Sequence, residues 1–300
     1  MDFDTALTIL IDGLEFSSYL FIVSVGLTLV FGVMKILNVA HGNFYAWGAY
    51  MSAWLIGRWT SMGFSEGSTF LMIAAATVIV GVVLGFIIER GVLQFMYDRD
   101  EVITVLATFA LFLILEDLIL LFFGVDPYFA YEPMIALGAV DIGGITRDVY
   151  KLTMIGLAVA VGLSLWLVLT RTTWGRLLIA VIHDREMAIS MGINVKRVYI
   201  VTFIIGAMLG ALGGAYIAPT VSVAPGFGVD VVVLSFAVVA IGGMGSIPGA
   251  VIGALIVGIA RAIAVHKFPQ VELFVVFAVM AIVLVFRPEG LFAPSKSRKI

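Results

Sequence analysis

Apolar runs longer than 18 residues recur along the whole chain, and each is long enough to cross about 30 Å of hydrocarbon as a helix. In lipid every backbone amide and carbonyl must be paired inside the segment, so runs of this kind fold as helices. Only 12% of the 300 residues are charged and 62% are hydrophobic. A soluble domain of this size carries roughly a quarter charged residues on its surface, so water is excluded as the main solvent. Residues 1–300 read as a single transmembrane domain of the all-α, polytopic class. The acidic start Met1-Asp2-Phe3-Asp4 lacks the basic flank of a cleavable signal peptide. With no cysteine in the chain, disulfides, thiolate metal sites and cysteine nucleophiles are excluded.

Windows of about 19 residues place spans at 14–34, 39–56, 70–88, 102–123, 152–170, 198–219, 229–242, 247–265 and 272–287. The second carries Asn38, His41 and Asn43 at its start, and the seventh is short. Each reads as a tilted, broken or re-entrant segment, so the bundle has eight or nine spans. Nine spans with the N-terminus outside put Lys35, Arg90, Arg99, Arg171, Arg176, Arg185, Lys196, Arg197, Arg287, Lys296, Arg298 and Lys299 on one side. Only Arg58, Arg147, Lys151, Arg261 and Lys267 remain for the other, so 12 of the 17 basic residues share a face. Excess basic charge marks the cytoplasmic side, which gives an N-out, C-in chain. An outer loop is expected over 124–151 and a cytoplasmic one over 171–197.

Gly206, Gly210 and Gly214 recur every four residues on one span, and Gly245, Gly249 and Gly253 repeat the spacing on another. Close backbone approach over small residues is a main source of helix association in lipid, so these positions are expected to pack helices together. Gly242-Gly243-Met244-Gly245-Ser246-Ile247-Pro248-Gly249 breaks the helical pattern, because glycine and proline cannot continue a helix cheaply. It lacks the Lys-Ser/Thr of a phosphate loop. Asn38-Val39-Ala40-His41-Gly42 forms a second polar break. Asn38, His41, Gly42, Gly243, Gly245, Ser246 and Pro248 are therefore candidates for the path or its gate, beside a purely structural capping role. His41 has no second ligand at metal spacing and no partner for general-base work. No metal, cofactor or catalytic residue is expected.

Glu116 and Asp117 lie inside the fourth span. A carboxylate at mid-membrane costs roughly 2.5–3.5 kcal/mol on insertion scales, so both are expected to face protein or water. A proton-coupled secondary transporter using them as a relay is the rival reading. The loop at 171–197 runs from Trp174-Gly175-Arg176 to His183 and then opens a short helix, with Asp184 as its N-cap and Gly192 as its stop. That helix presents Met187, Ile189 and Met191 among Ala188 and Ser190, and Asn194 caps the next span. A short helix of mixed polarity between two spans suits docking into a groove of a soluble partner, with Ala188 where the partner packs.

Gly26-Leu27-Thr28-Leu29-Val30-Phe31-Gly32, Asn38 to Gly42 and Gly48-Ala49-Tyr50 resemble the N-terminal signature of LivH-type permeases. The segment from Gly175-Arg176 through Asp184, Ala188 and Gly192-Ile193 resembles that family's coupling loop. Gly242 to Ala250 and Arg287-Pro288-Glu289-Gly290-Leu291 resemble its C-terminal signatures. Ile179, His183 and Glu116-Asp117 depart from the pattern. The resemblance implies the membrane subunit of an ABC importer for branched-chain or related amino acids, in the inner membrane of a bacterium. It implies as partners a second permease, two cytoplasmic ATPase subunits and a periplasmic solute-binding protein, with ATP hydrolysis left to the ATPases and no nucleic acid involved. Relatives that carry urea or short amides supply the alternative solute class.

Overall fold

The computed structural model describes residues 3–292, so the basic residues Lys296, Arg298 and Lys299 and the start Met1-Asp2 lie outside the described residues. The chain is a helical bundle with one small β-hairpin. In order the elements are α1 (Phe3–Met34), α2 (His41–Ser61), α3 (Thr69–Gly91) and α4 (Glu101–Phe123). Then come α5 (Glu132–Leu137), β1 (Ala139–Ile142), β2 (Ile145–Asp148), α6 (Val149–Arg171), α7 (Thr173–His183) and α8 (Arg185–Ser190). The chain continues with α9 (Val195–Ile217), α10 (Phe227–Gly242), α11 (Ile247–Lys267) and α12 (Glu272–Phe286).

All nine expected segments are helical, and among the described residues seven helices are long and apolar enough to cross a membrane. These are α1, α3, α4, α6, α9, α11 and α12, the last counted with the 3₁₀ turn before it. The other two fall short for different reasons. α2 has the length but carries His41, Asn43 and Arg58, while α10 is apolar but only 16 residues long. α1 starts at Phe3, eleven residues before the expected boundary, because its acidic first turns find partners: Asp12 pairs with Arg147 and with His266.

α1 and α9 form the buried centre. α1 packs against α6, α9, α10 and α11, and α9 packs against α1, α2 and α3. α6 and α12 sit at the periphery with few of their side chains fully buried. The expected outer loop holds structure of its own. β1 and β2 pair antiparallel through Gly143 and Gly144, both at positive φ, and Asp141 Oδ1 accepts from the Gly144 amide at 2.7 Å. The expected cytoplasmic loop is largely helical, as α7 and α8.

Candidate translocation site

The glycine ladder of α9 lies on its contact face. A β-carbon added at Gly206 would stand 2.5 Å from a Val30 methyl of α1, and one at Gly214 would strike the Tyr45 carbonyl of α2. At Gly210 it would meet the His41 ring and Phe44 at 3.2 Å. The second ladder joins α11 to α10, where Gly249 abuts the Gly242 carbonyl and Gly253 the Val238 carbonyl.

The break at 38–42 is stapled to its neighbours through backbone carbonyls. His41 is fully buried, and its Nε2 lies 3.0 Å from the Val23 carbonyl oxygen. A carbonyl only accepts, so Nε2 carries the proton. Asn43 Nδ2 donates to the Phe112 carbonyl at 2.6 Å and Trp47 Nε1 to the Leu115 carbonyl at 3.1 Å, both on α4. Gly42 sits against the Gly228 carbonyl of α10. Asn38 is buried with neither amide atom partnered. These residues face packed seams between helices.

The break at 242–249 closes α10 and opens α11. Gly243 and Gly245 turn the chain at φ of +100° and +86°. Ser246 Oγ then caps α11 by accepting from the Gly249 amide at 3.1 Å, with Pro248 in the first turn. Leu291 and Phe292 donate to the Ile241 and Gly242 carbonyls at 2.9 Å each, satisfying the end of α10. Gly245, Ser246 and Pro248 border a 290 Å³ cavity whose other walls are Thr28 and Gly32 of α1 and Leu178 and Ile182 of α7.

The segment from Gly175 to Gly192 folds as two capped helices. Thr172 caps α7 at the Gly175 amide, 3.2 Å away, and Gly175 packs against the Leu169 carbonyl at the end of α6. Asp184 Oδ1 accepts from the Met187 amide at 2.8 Å. Gly192, at φ +81°, donates to the Ile189 carbonyl while Ile193 donates to that of Ala188, the paired bonds of a Schellman stop. Asn194 then caps α9 at the Arg197 amide, 3.0 Å away. Ala188 is turned into its own chain and is only 3% exposed, which corrects its expected place on a docking face. Adjacent helix residues point about 100° apart, so Met187, Ile189 and Met191 stand exposed instead. Arg176 is also exposed, and Arg185 pairs with Asp98 at 2.9 Å, tying α8 to the corner between α3 and α4.

Glu116 and Asp117 part company. Glu116 Oε1 accepts from the Gly226 amide at 2.8 Å, just before α10, whereas Asp117 is exposed on the outer face of α4 among apolar side chains. Within this chain Asp117 stands exposed, so the protein or water it is expected to face lies outside the chain.

A cavity of about 660 Å³ lies elsewhere, between α1, α6, α10, α11 and the start of α12. Tyr19 and Tyr45, both nearly buried, line it, and the Tyr45 ring stacks on Phe227 with centroids 5.0 Å apart. Asp12, Glu15, Asp230 and Glu272 supply acids, and Lys151, Arg261 and His266 supply bases. The Arg261 guanidinium lies over the Phe16 ring at 4.1 Å and reaches Glu272 at 3.3 Å. None of the path, packing or docking candidates named from sequence lines this space. The available signal was the spacing of Glu15 and Tyr19, an i, i+4 pair on one helix face.

The family model of the "Branched-chain amino acid transport system / permease component" matches residues 9–285. The high-affinity branched-chain amino acid transport system permease protein BraD of Pseudomonas aeruginosa is 27% identical over 97% of each chain. LivH of Escherichia coli K12, a permease protein of the same description, is 27% identical over 96% of each. A solved structure, PsaBC from Streptococcus pneumoniae in complex with Fab, aligns with 12% identity and a TM-score of 0.48 over 95% of this chain and 92% of that one. With the family model covering most of its length, the chain belongs to the branched-chain amino acid transport permease family.

Proposed function

We propose that this chain is the permease subunit of an ATP-driven importer for branched-chain or related amino acids, sited in the inner membrane of a bacterium. The observation that carries the reading is the family match over residues 9–285. In this reading all nine helical segments cross, N-out and C-in, with α2 and α10 held mostly by neighbouring helices of the chain. A second permease covers the exposed face of α4, including Asp117, and a periplasmic binding protein delivers solute to the outer side. Two ATPase subunits dock on the cytoplasmic side, one of them on α7 and α8, and they alone hydrolyse ATP.

The geometry supports a route for force. The exposed apolar side chains Leu177 and Ile179 on α7, with Met187, Ile189 and Met191 beyond Asp184, offer a groove-filling surface. Movement there reaches α6 through Gly175, α9 through the Asn194 cap and the α3–α4 corner through Arg185–Asp98. α9 carries it to α1 and α2 along the glycine seam. The break at 38–42 is a hinge of that seam, and the break at 242–249 is the hinge between α10 and α11. The cavity at 660 Å³ is the outer part of the path, closed below by Tyr19, Tyr45 and Phe227.

The test is uptake of labelled leucine into liposomes holding this chain with its partner subunits. The expected result is accumulation that needs ATP and the binding protein and survives a protonophore. Accumulation that follows a proton gradient without ATP overturns the reading.

A further inference from the structure

We propose that the 660 Å³ cavity is a solute-holding site selective for a protonated amino group, with Glu15 and Asp230 as its counter-charges. The inference rests on the transport reading above and names the chemistry of its site. Its volume falls within the roughly 300–1,000 Å³ of small-molecule sites.

The charges in and around the cavity cancel in pairs until two acids are left. Asp12 is taken by Arg147 and also meets His266 at 2.7 Å. Lys151 is held by Asp148 at 3.2 Å, and Arg261 by Glu272 at 3.3 Å. Among the described residues no ion pair reaches Glu15 or Asp230. One Glu15 carboxylate oxygen is buried without any hydrogen-bond partner. A buried polar atom without a partner is costly, and a bound donor removes that cost. An ammonium offers three donors and a positive charge. Arg261 is paired with Glu272 and lies over the Phe16 ring, and no ion pair joins it to Glu15 or Asp230.

The rest of the wall suits what lies beside an amine. Met154, Val231, Leu234 and Phe227 are apolar, so a solute with an aliphatic side chain is covered as well as neutralised. A simple carboxylic acid of the same shape meets two like charges that no ion pair neutralises, and a neutral amide offers donors but no positive charge.

Three probes separate these cases: leucine, 3-methylbutylamine, which lacks only the carboxylate, and 4-methylpentanoate, which lacks only the amine. Binding is measured calorimetrically to the purified complex in nanodiscs without ATP. Leucine and the amine are expected to bind at least tenfold more tightly than the acid. Glu15→Gln with Asp230→Asn should remove that preference; Asp230→Asn alone, at an exposed residue, should reduce it where the double variant does not fold. Equal binding of the amine and the acid, a preference that survives substitution, or no binding of any probe overturns the inference. ATP-driven leucine uptake by the same wild-type complex is scored separately. Uptake without an amine preference sinks this site alone, whereas absent uptake sinks the transport reading.

Discussion

His41 Nε2 donates to the Val23 carbonyl across 3.0 Å, which places a fully buried imidazole between α1 and α9, against Gly26 and Gly210. The ring fills space that two glycines leave open, so its first contribution is to packing. His41→Ala should destabilise the detergent-solubilised protein by about 3–5 kcal/mol, the range for truncating a buried ring. A thermal melt of wild type and variant checks this. Unchanged stability with altered transport would make His41 a gate residue.

The α9 ladder gives a ranked expectation. Gly214→Ala drives a methyl into the Tyr45 carbonyl, which belongs to a helix and cannot swing away, whereas Gly210→Ala meets side chains at 3.2 Å that can shift. Overpacking costs about 1–3 kcal/mol, so Gly214→Ala should be the more damaging, and Gly57→Ala, with open space around it, should be neutral. Melting temperatures in the opposite order would contradict the packing described.

Much of the local structure was legible in the sequence, because caps are short-range chemistry. Asp184, Gly192 and Asn194 sit where their residue types favour, and each makes the expected bond. Less legible was anything that depends on residues far apart in the chain. The cavity is lined by residues far apart in the chain, and beside it Asp12 meets Arg147, 135 positions away, and His266, 254 away. The same pairing extends α1 through acidic turns that look like a tail. Ala188 was misplaced for a geometric reason: a six-residue helix has one buried face, and its sequence does not say which.

Glu116 holds the Gly226 amide, a role that an amide oxygen fills equally well. Glu116→Gln with Asp117→Asn should therefore leave ATP-driven uptake and its pH profile unchanged. Glu116→Ala should weaken the α4–α10 corner by about 1–3 kcal/mol, because the amide loses its partner. Loss of uptake together with loss of pH dependence in the double amide variant would revive the proton-relay reading.

Sidedness is open to a clean probe because the chain has no cysteine. Single cysteines at the exposed Ser65 and Ser222 should react with a membrane-impermeant maleimide added outside intact cells. A cysteine at Ser190, also exposed, should react only after permeabilisation. Outside labelling at all three would rule out the N-out, C-in arrangement.

The account rests most heavily on ATPase docking at α7–α8, with Met187 exposed and Ala188 turned inward. A photo-crosslinking amino acid placed at Met187 in the assembled complex tests that contact directly. The expected product is a covalent adduct with an ATPase subunit, absent when the same group replaces the exposed Phe122 at the C-terminal end of α4. A Met187 adduct with lipid alone, from a complex that hydrolyses ATP normally, would contradict docking at this segment and the force route built on it.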